Sequence, residues 1–220
     1  MIQRVYEQAK KSAALSEVIV ATDDERIKQA VESFGGEVLM TREDHNNGTE
    51  RCSEVAESNP ADYYINIQGD EPFIHPEQID SLANLLDGDT QLGTLVKKVD
   101  DLQILDDPSK MKVVFNKLME ALYFSRSCVP FARDFPKEEW LRAHNFYKHI
   151  GIYAYRSDIL KEITQLPMGE LEKTESLEQL RWLENGYKIK VALTEHESIG
   201  IDTPQDVEKA LRIYKETQSE

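Results

Sequence analysis

The segment "YINIQGDEPFIHPEQI", residues 64–79, carries two carboxylates, Asp70 and Glu71, directly after an apolar run. A strand that ends in Gln68-Gly69-Asp70-Glu71-Pro72 puts Asp70 at the carboxyl edge of a sheet, where open α/β sheets bind ligands. A second acid, Asp202 of "GIDTPQDVE", falls between a strand-like run and a helix start at Thr203-Pro204. Singly, each has an ordinary reading: a solvated turn for Asp70 and a capping loop for Asp202. Together, with no Cys/His cluster along the chain, two carboxylates at loop ends suit a hard cation such as Mg²⁺. That ion takes oxygen ligands and completes its shell with water and phosphate.

Other residue types could bind around such a centre. In "DHNNGTER", Gly48 lets the backbone approach a ligand closely, beside the Thr49 donors and the Arg51 cation. In "YKHIGIYAYR", the period of two puts His149, Gly151 and Tyr153 on one strand face, a small residue between two polar rings. Glu178 and Gln179 interrupt a leucine-rich helical pattern, and Arg126 and Arg133 flank "SCVPFA". Each of these also reads as a plain loop, core or surface residue.

The elements that must position them alternate at first. A helix over residues 1–12 precedes a strand at 18–21, then a helix from "ERIKQAVES" that stops at Gly35-Gly36. A strand in "EVLMT", a polar loop "REDHNNGTER", a helix at 52–57, a strand at 64–67 and a helix from Pro76 to a stop at Gly88 follow. Strand and helix in turn predict a parallel sheet with crossover helices. After residue 88 the rhythm changes: "LGTLVKKV", "MKVVFN", "EALYFSRS" and "YKHIGIYAYR" are strand-like with little helix between them, which predicts an antiparallel arm at about 117–156. One strong helix over "LEKTESLEQLRWLENG", a strand "KIKVALT" and a helix from Thr203 complete the chain. The chain starts at a helix that in such a domain follows a central strand and a phosphate-binding turn.

Composition narrows the function. The 220 residues suit a single domain, residues 1–220, with its arm. A net charge of −15 argues against a nucleic-acid surface, and an anionic substrate would need local cations or a metal to reverse the field. Two cysteines, Cys52 and Cys128, make no disulfide framework and fit a reducing cytoplasm. No apolar run approaches the roughly 20 residues of a membrane span.

The motifs "TREDHNNGTER", "NIQGDEPFI", "ALYFSRSCVPFARD", "YKHIGIYAYR", "LEKTESLEQLRWLENGYKIKV" and "GIDTPQDVE", in this order, resemble those of the 3-deoxy-D-manno-octulosonate (Kdo) cytidylyltransferase family, the CMP-Kdo synthetases. The resemblance runs the length of the chain. It implies a Rossmann-like nucleotidyltransferase fold of the nucleotide-diphospho-sugar transferase type, with a mostly parallel sheet and a β-rich dimerisation arm. It implies a cytoplasmic homodimer that joins CTP to Kdo for lipopolysaccharide synthesis. By motif, Asp70 and Asp202 would hold Mg²⁺ and act in catalysis. Gly48, Thr49, Gln68, Gly69 and Asp70 would lie at the nucleotide. Arg51, Arg133, His149, Tyr153, Glu178 and Gln179 would lie around the sugar, arginine and histidine donating to its carboxylate. In the arm, Phe124, Val129 and Phe131 would be exposed or paired across a symmetric interface.

The family's opening strand and its "IPARYxSTRLPGKPL"-like loop have no counterpart here. The expectation is that these 220 residues alone are poorly folded or inactive while the full-length gene product is an active enzyme. Activity within tenfold of a chain with that segment restored would refute it. The alternatives are a cytidylyltransferase for a related sugar acid (8-amino-Kdo or sialic acid) and a non-catalytic nucleotide-binding remnant. Asn47, Ala132 and Lys148 depart from the family's usual residues and bear on which sugar is taken.

Overall fold

A computed structural model describes residues 1–197, 200–201, 206–208 and 210–211. The chain runs α1 (Ile2–Ala9), β1 (Val20–Thr22), α2 (Glu25–Ser33), β2 (Val38–Met40), α3 (Gly48–Ser58), β3 (Tyr63–Asn66), α4 (Pro76–Ala83), β4 (Leu92–Lys98) and α5 (Leu102–Asp106). It continues through β5 (Lys112–Phe115), β6 (Ala121–Ser125), α6 (Trp140–Ala143), β7 (Tyr147–Arg156), α7 (Ser157–Ile163), α8 (Glu170–Glu175), α9 (Glu178–Glu184) and β8 (Ile189–Leu193).

Local chemistry sets the helix starts. The Asp24 carboxylate accepts from the Arg26 amide at 2.7 Å and opens α2. The Asn47 side chain accepts from the Glu50 amide at 2.9 Å and opens α3. This cap moves the start of α3 ahead of residue 52, so Gly48 and Thr49 lie in a helical first turn rather than in a loop. His75 and Gln78 form a reciprocal capping box with Pro76 in the first turn of α4. Gly35 and Gly186 take left-handed φ values of 75° and 82° directly after the caps of α2 and α9, whereas α4 ends at Ala83, short of the stop expected at Gly88.

The sheet is mixed rather than mostly parallel. Its six strands run β6-β5-β7-β4-β8, with β3 also paired to β7. β3 and β4 run the same way, as alternation predicts, but β7 returns from the arm and pairs antiparallel with both. β4 and β8 are parallel. β1 and β2 pair parallel in a separate two-stranded sheet. Between β1 and β3 lies a cavity of about 660 Å³ lined by residues 18–21 on one side and 63–67 on the other.

Both faces of the large sheet are covered. Ile79 and Leu82 of α4 and Val5 and Ala9 of α1 pack on Leu95, Ile150, Ile152 and Ala154. On the other face, Ile159, Leu160 and Ile163 of α7 and Leu180 and Trp182 of α9 pack on Leu92, Val96, Tyr155 and Val191. A third cluster, Val99, Leu105, Trp140 and Phe146, holds the base of the arm. Phe124 is wholly buried in the second of these faces, so it is core and not available to an interface; Val129 is half-buried and Phe131 exposed.

The single helix expected over "LEKTESLEQLRWLENG" is two helices, broken at Ser176, which sits in the left-handed region with φ 52°. The break is held from outside. Ser125 Oγ donates to Glu175 Oε1 at 2.7 Å, and Arg126 donates to the Glu175 and Ser176 carbonyls at 2.6 and 3.2 Å. Arg126 is thus a structural clamp on carbonyl groups.

Candidate active site

The first turn of α3 abuts the carboxyl end of β3. A Cβ on Gly48 would meet Asn66 Nδ2 at 3.2 Å and Gln68 Nε2 at 3.7 Å, so glycine is what lets these segments approach. Gly48, Gln68, Gly69 and Arg51 all line the 660 Å³ cavity. Thr49 points the other way: it is buried, its Oγ1 donates to Glu178 Oε2 at 2.8 Å and lies 3.2 Å from the Tyr155 hydroxyl. With the Thr49 proton given to Glu178, the Tyr155 O–H donates to Thr49. Glu178 sits here because the chain breaks at Ser176 and α9 restarts after Leu177, with Glu178 as its first residue. Burial is the main cause that raises its carboxyl above the ordinary range. Gln179 is buried beside it.

His149 and Tyr153 share a face, as expected, with ring centroids 5.1 Å apart. Opposite them the register jumps: Thr94 pairs Tyr153 while Leu95 pairs Ile150. This bulge puts two extra residues, Gly151 and Ile152, into β7, and an even number preserves the alternation of faces. Thr94 Oγ1 donates to the Ile152 carbonyl at 2.7 Å and meets His149 Nε2 at 2.9 Å. A hydroxyl has one proton. Nε2 must therefore carry its own hydrogen and donate to Thr94, which leaves Nδ1 an acceptor. Burial, which pushes the ring down to about 3, keeps it neutral. With Nε2 engaged by Thr94, the free ring nitrogen of His149 offers a lone pair, where the motif resemblance implied a donor to a carboxylate.

Nδ1 of His149, the Tyr153 hydroxyl and Nε1 of Trp182 are buried with no hydrogen-bond partner. The Tyr153 and Trp182 rings meet edge-on at 5.1 Å. Buried polar atoms without partners are uncommon in folded proteins and call for an explanation. One acceptor, one donor and one hydroxyl in a single aromatic cluster match a polyhydroxylated ligand. The acidic turn lies over this strand, with Glu71 Oε1 3.6 Å from the place a Gly151 Cβ would take.

Asp70 is half-buried in that turn, and its carbonyl accepts the Ile201 amide at 2.9 Å. The loop after β8 is thereby tied to the acidic turn; Asp202 itself lies outside the described residues. Arg51 donates to Asp23 at 2.7 Å and to Thr41. Arg133 is exposed and pairs with its neighbour Asp134 at 2.8 Å, on the arm and apart from the other candidates. Asn66, Thr94 and Trp182 join the site without having been singled out in the sequence. For Trp182 the indole N–H on a core-facing position was an available cue. Burial pushes the Cys52 thiol up to about 12, which makes it an inert core residue.

The mixed α/β sheet gathers its polar groups at these strand ends, where Rossmann-like folds bind their ligands. The cytidylyltransferase family model matches residues 1–189. At 16% identity and a TM-score of 0.62, the structure of a putative glucose-1-phosphate thymidylyltransferase from Bacillus anthracis shares the fold alone. The 3-deoxy-manno-octulosonate cytidylyltransferase of Parabacteroides distasonis is 58% identical over 218 residues, covering 96% of this chain and 86% of that protein. The Bacteroides thetaiotaomicron enzyme of the same name is 53% identical, covering 98% and 88%. A solved structure of CMP:2-keto-3-deoxy-manno-octonic acid synthetase in complex with CTP superposes with a TM-score of 0.91 at 42% identity, covering 98% of this chain and 88% of that one. The chain belongs to the 3-deoxy-manno-octulosonate cytidylyltransferase family.

Proposed function

We propose that the protein transfers the cytidylyl group of CTP to Kdo, a step of lipopolysaccharide synthesis in the cytoplasm, and that it does so as a homodimer. The anomeric hydroxyl of Kdo loses its proton to solvent as its oxygen bonds to the α-phosphorus of CTP. The bond from that phosphorus to the β-phosphate oxygen breaks, and pyrophosphate leaves. Positioning and charge neutralisation dominate such transfers.

The observation that carries this reading is the partnerless buried set of His149 Nδ1, Tyr153 OH and Trp182 Nε1 beside the acidic turn. His149 Nδ1 accepts a sugar hydroxyl, Trp182 Nε1 donates to an oxygen, and Tyr153 can do either. Glu178 reaches this cluster through Thr49 and Tyr155, whose ring packs against Tyr153 and Trp182, and Gln179 is the buried residue that follows it. Gly48, Gln68 and Gly69 line the cavity side, where close backbone approach suits a nucleotide.

The donor set of the acidic turn fits Mg²⁺. Asp70 offers a half-buried carboxylate with no nitrogen or sulfur ligand in the turn, and Ile201, the residue before Asp202, is bonded to the Asp70 carbonyl. Held by Asp70 and Asp202, Mg²⁺ would supply the positive charge that a triphosphate needs in a protein of net charge −15. Arg51, already paired with Asp23, supplies little of it; Arg133 would reach a substrate only by leaving Asp134.

Thermal unfolding tests the assignment. CTP with Mg²⁺ is expected to raise the melting temperature and Kdo to add to the rise. Asp70→Asn is expected to remove the Mg²⁺-dependent part. An unchanged shift in that variant contradicts the metal role of Asp70.

A further inference from the structure

Just beyond the acidic turn, the fold brings His196 to two residues that lie far from it in the sequence. His75 caps α4, Glu77 lies in its first turn, and His196 follows β8. One donor atom from each lies within 4.8 Å of the other two. The imidazoles of His75 and His196 stack at 3.8 Å with an 8° interplanar angle, and His196 Nε2 lies 2.8 Å from Glu77 Oε2.

Beneath them Gln78 is fully buried and holds both histidines by their backbones. Its Oε1 accepts the His75 amide at 2.9 Å, and its Nε2 reaches the His196 carbonyl at 3.5 Å. Buried support under exposed or half-exposed ligand side chains is the arrangement that pre-orients metal ligands. The Glu77 carboxylate is largely open to solvent, so an ion has an entry path.

We propose that His75, Glu77 and His196 form a binding site for a divalent transition metal of the Zn²⁺ class. Two imidazole nitrogens and one carboxylate oxygen suit Zn²⁺, with water as the remaining ligand, whereas Mg²⁺ prefers an all-oxygen shell. The ion would pin the loop after β8, which runs on to Ile201 at the Asp70 carbonyl, to the N-terminus of α4. The site is independent of the Kdo reading: it would bind metal whatever sugar the protein takes.

Titrating the protein with Co²⁺ in excess Mg²⁺ reads the site by its visible d–d absorption, and Zn²⁺ then displaces the signal. One saturable equivalent is expected in the wild type. At least a tenfold weaker affinity is expected in His196→Ala and in His75→Asn, whose asparagine keeps the helix cap. Glu77→Gln alters only an exposed side chain and is expected to fold normally with weakened binding. Absence of saturable binding overturns the proposal. So does binding that the histidine and Glu77 variants leave unchanged, since the ion is then held elsewhere, for example at the cysteines.

Discussion

Tyr153 and His149 each bury a polar atom that no protein group satisfies. Removing the Tyr153 hydroxyl takes away a buried group that has no protein partner, so Tyr153→Phe should leave stability unchanged or slightly higher. If that hydroxyl meets the sugar, the KM for Kdo rises about tenfold, the worth of a typical hydrogen bond, while the KM for CTP stays put. Steady-state kinetics with each substrate varied separately checks the split. His149 makes a pH prediction. Its folded pKa, near 3, lies below the ordinary 6.5, so below pH 6.5 the unfolded chain takes up a proton that the buried ring refuses. Stability from this group is present above 6.5 and is lost as pH falls toward 3, by up to about 1.4 kcal/mol per pH unit. His149→Gln should flatten that slope, as measured by urea unfolding across the range. At this scale the sequence showed which types of residue to watch and that His149 and Tyr153 share a face. It could not show the tautomer, because Thr94 comes from a strand 55 residues away. Trp182 hid in an amphipathic pattern that equally describes a core tryptophan.

At the scale of elements, the broken helix matters most. Its apolar spacing reads as one continuous helix, and no glycine or proline marks the break at Ser176. Tertiary contacts make it. Arg126 and Ser125 of the arm capture the end of α8, and the buried pair of Arg181 and Glu172, two bonds of 2.6 Å, locks α8 against α9. The break places Glu178 within reach of Thr49, so a feature invisible to periodicity positions the site. Ser176→Gly relieves the left-handed strain and should stabilise the protein by up to about 1 kcal/mol, a rise of roughly 2–4 °C in melting temperature. A lower melting temperature would show that the Ser176 side chain itself holds the break. The strands were more legible than the helices. "YKHIGIYAYR" is β7 from end to end, because a β-branched and aromatic run bounded by polar residues has few other conformations. What the sequence concealed was its partners: alternation implied β3 beside β4, and only the returning arm shows β7 between them.

Across the whole molecule, charge and exposed apolar surface set the remaining expectations. No helix among the described residues is long and apolar enough to cross a membrane. The arm nevertheless exposes Leu118 (67%), Leu122 (59%) and Phe131 (72%), more apolar surface than a solitary hairpin needs. If the protein is a homodimer joined through the arm, Leu122→Asp should halve the mass measured by light scattering; an unchanged mass would place the interface elsewhere. The central claim concerns chemistry and is tested most directly by the reaction itself. The protein isolated from its own organism, given CTP, Kdo and Mg²⁺, should form CMP-Kdo and pyrophosphate in equal amounts and lose that activity in Asp70→Asn. Failure to form CMP-Kdo, or pyrophosphate release that does not depend on Kdo, would contradict the account.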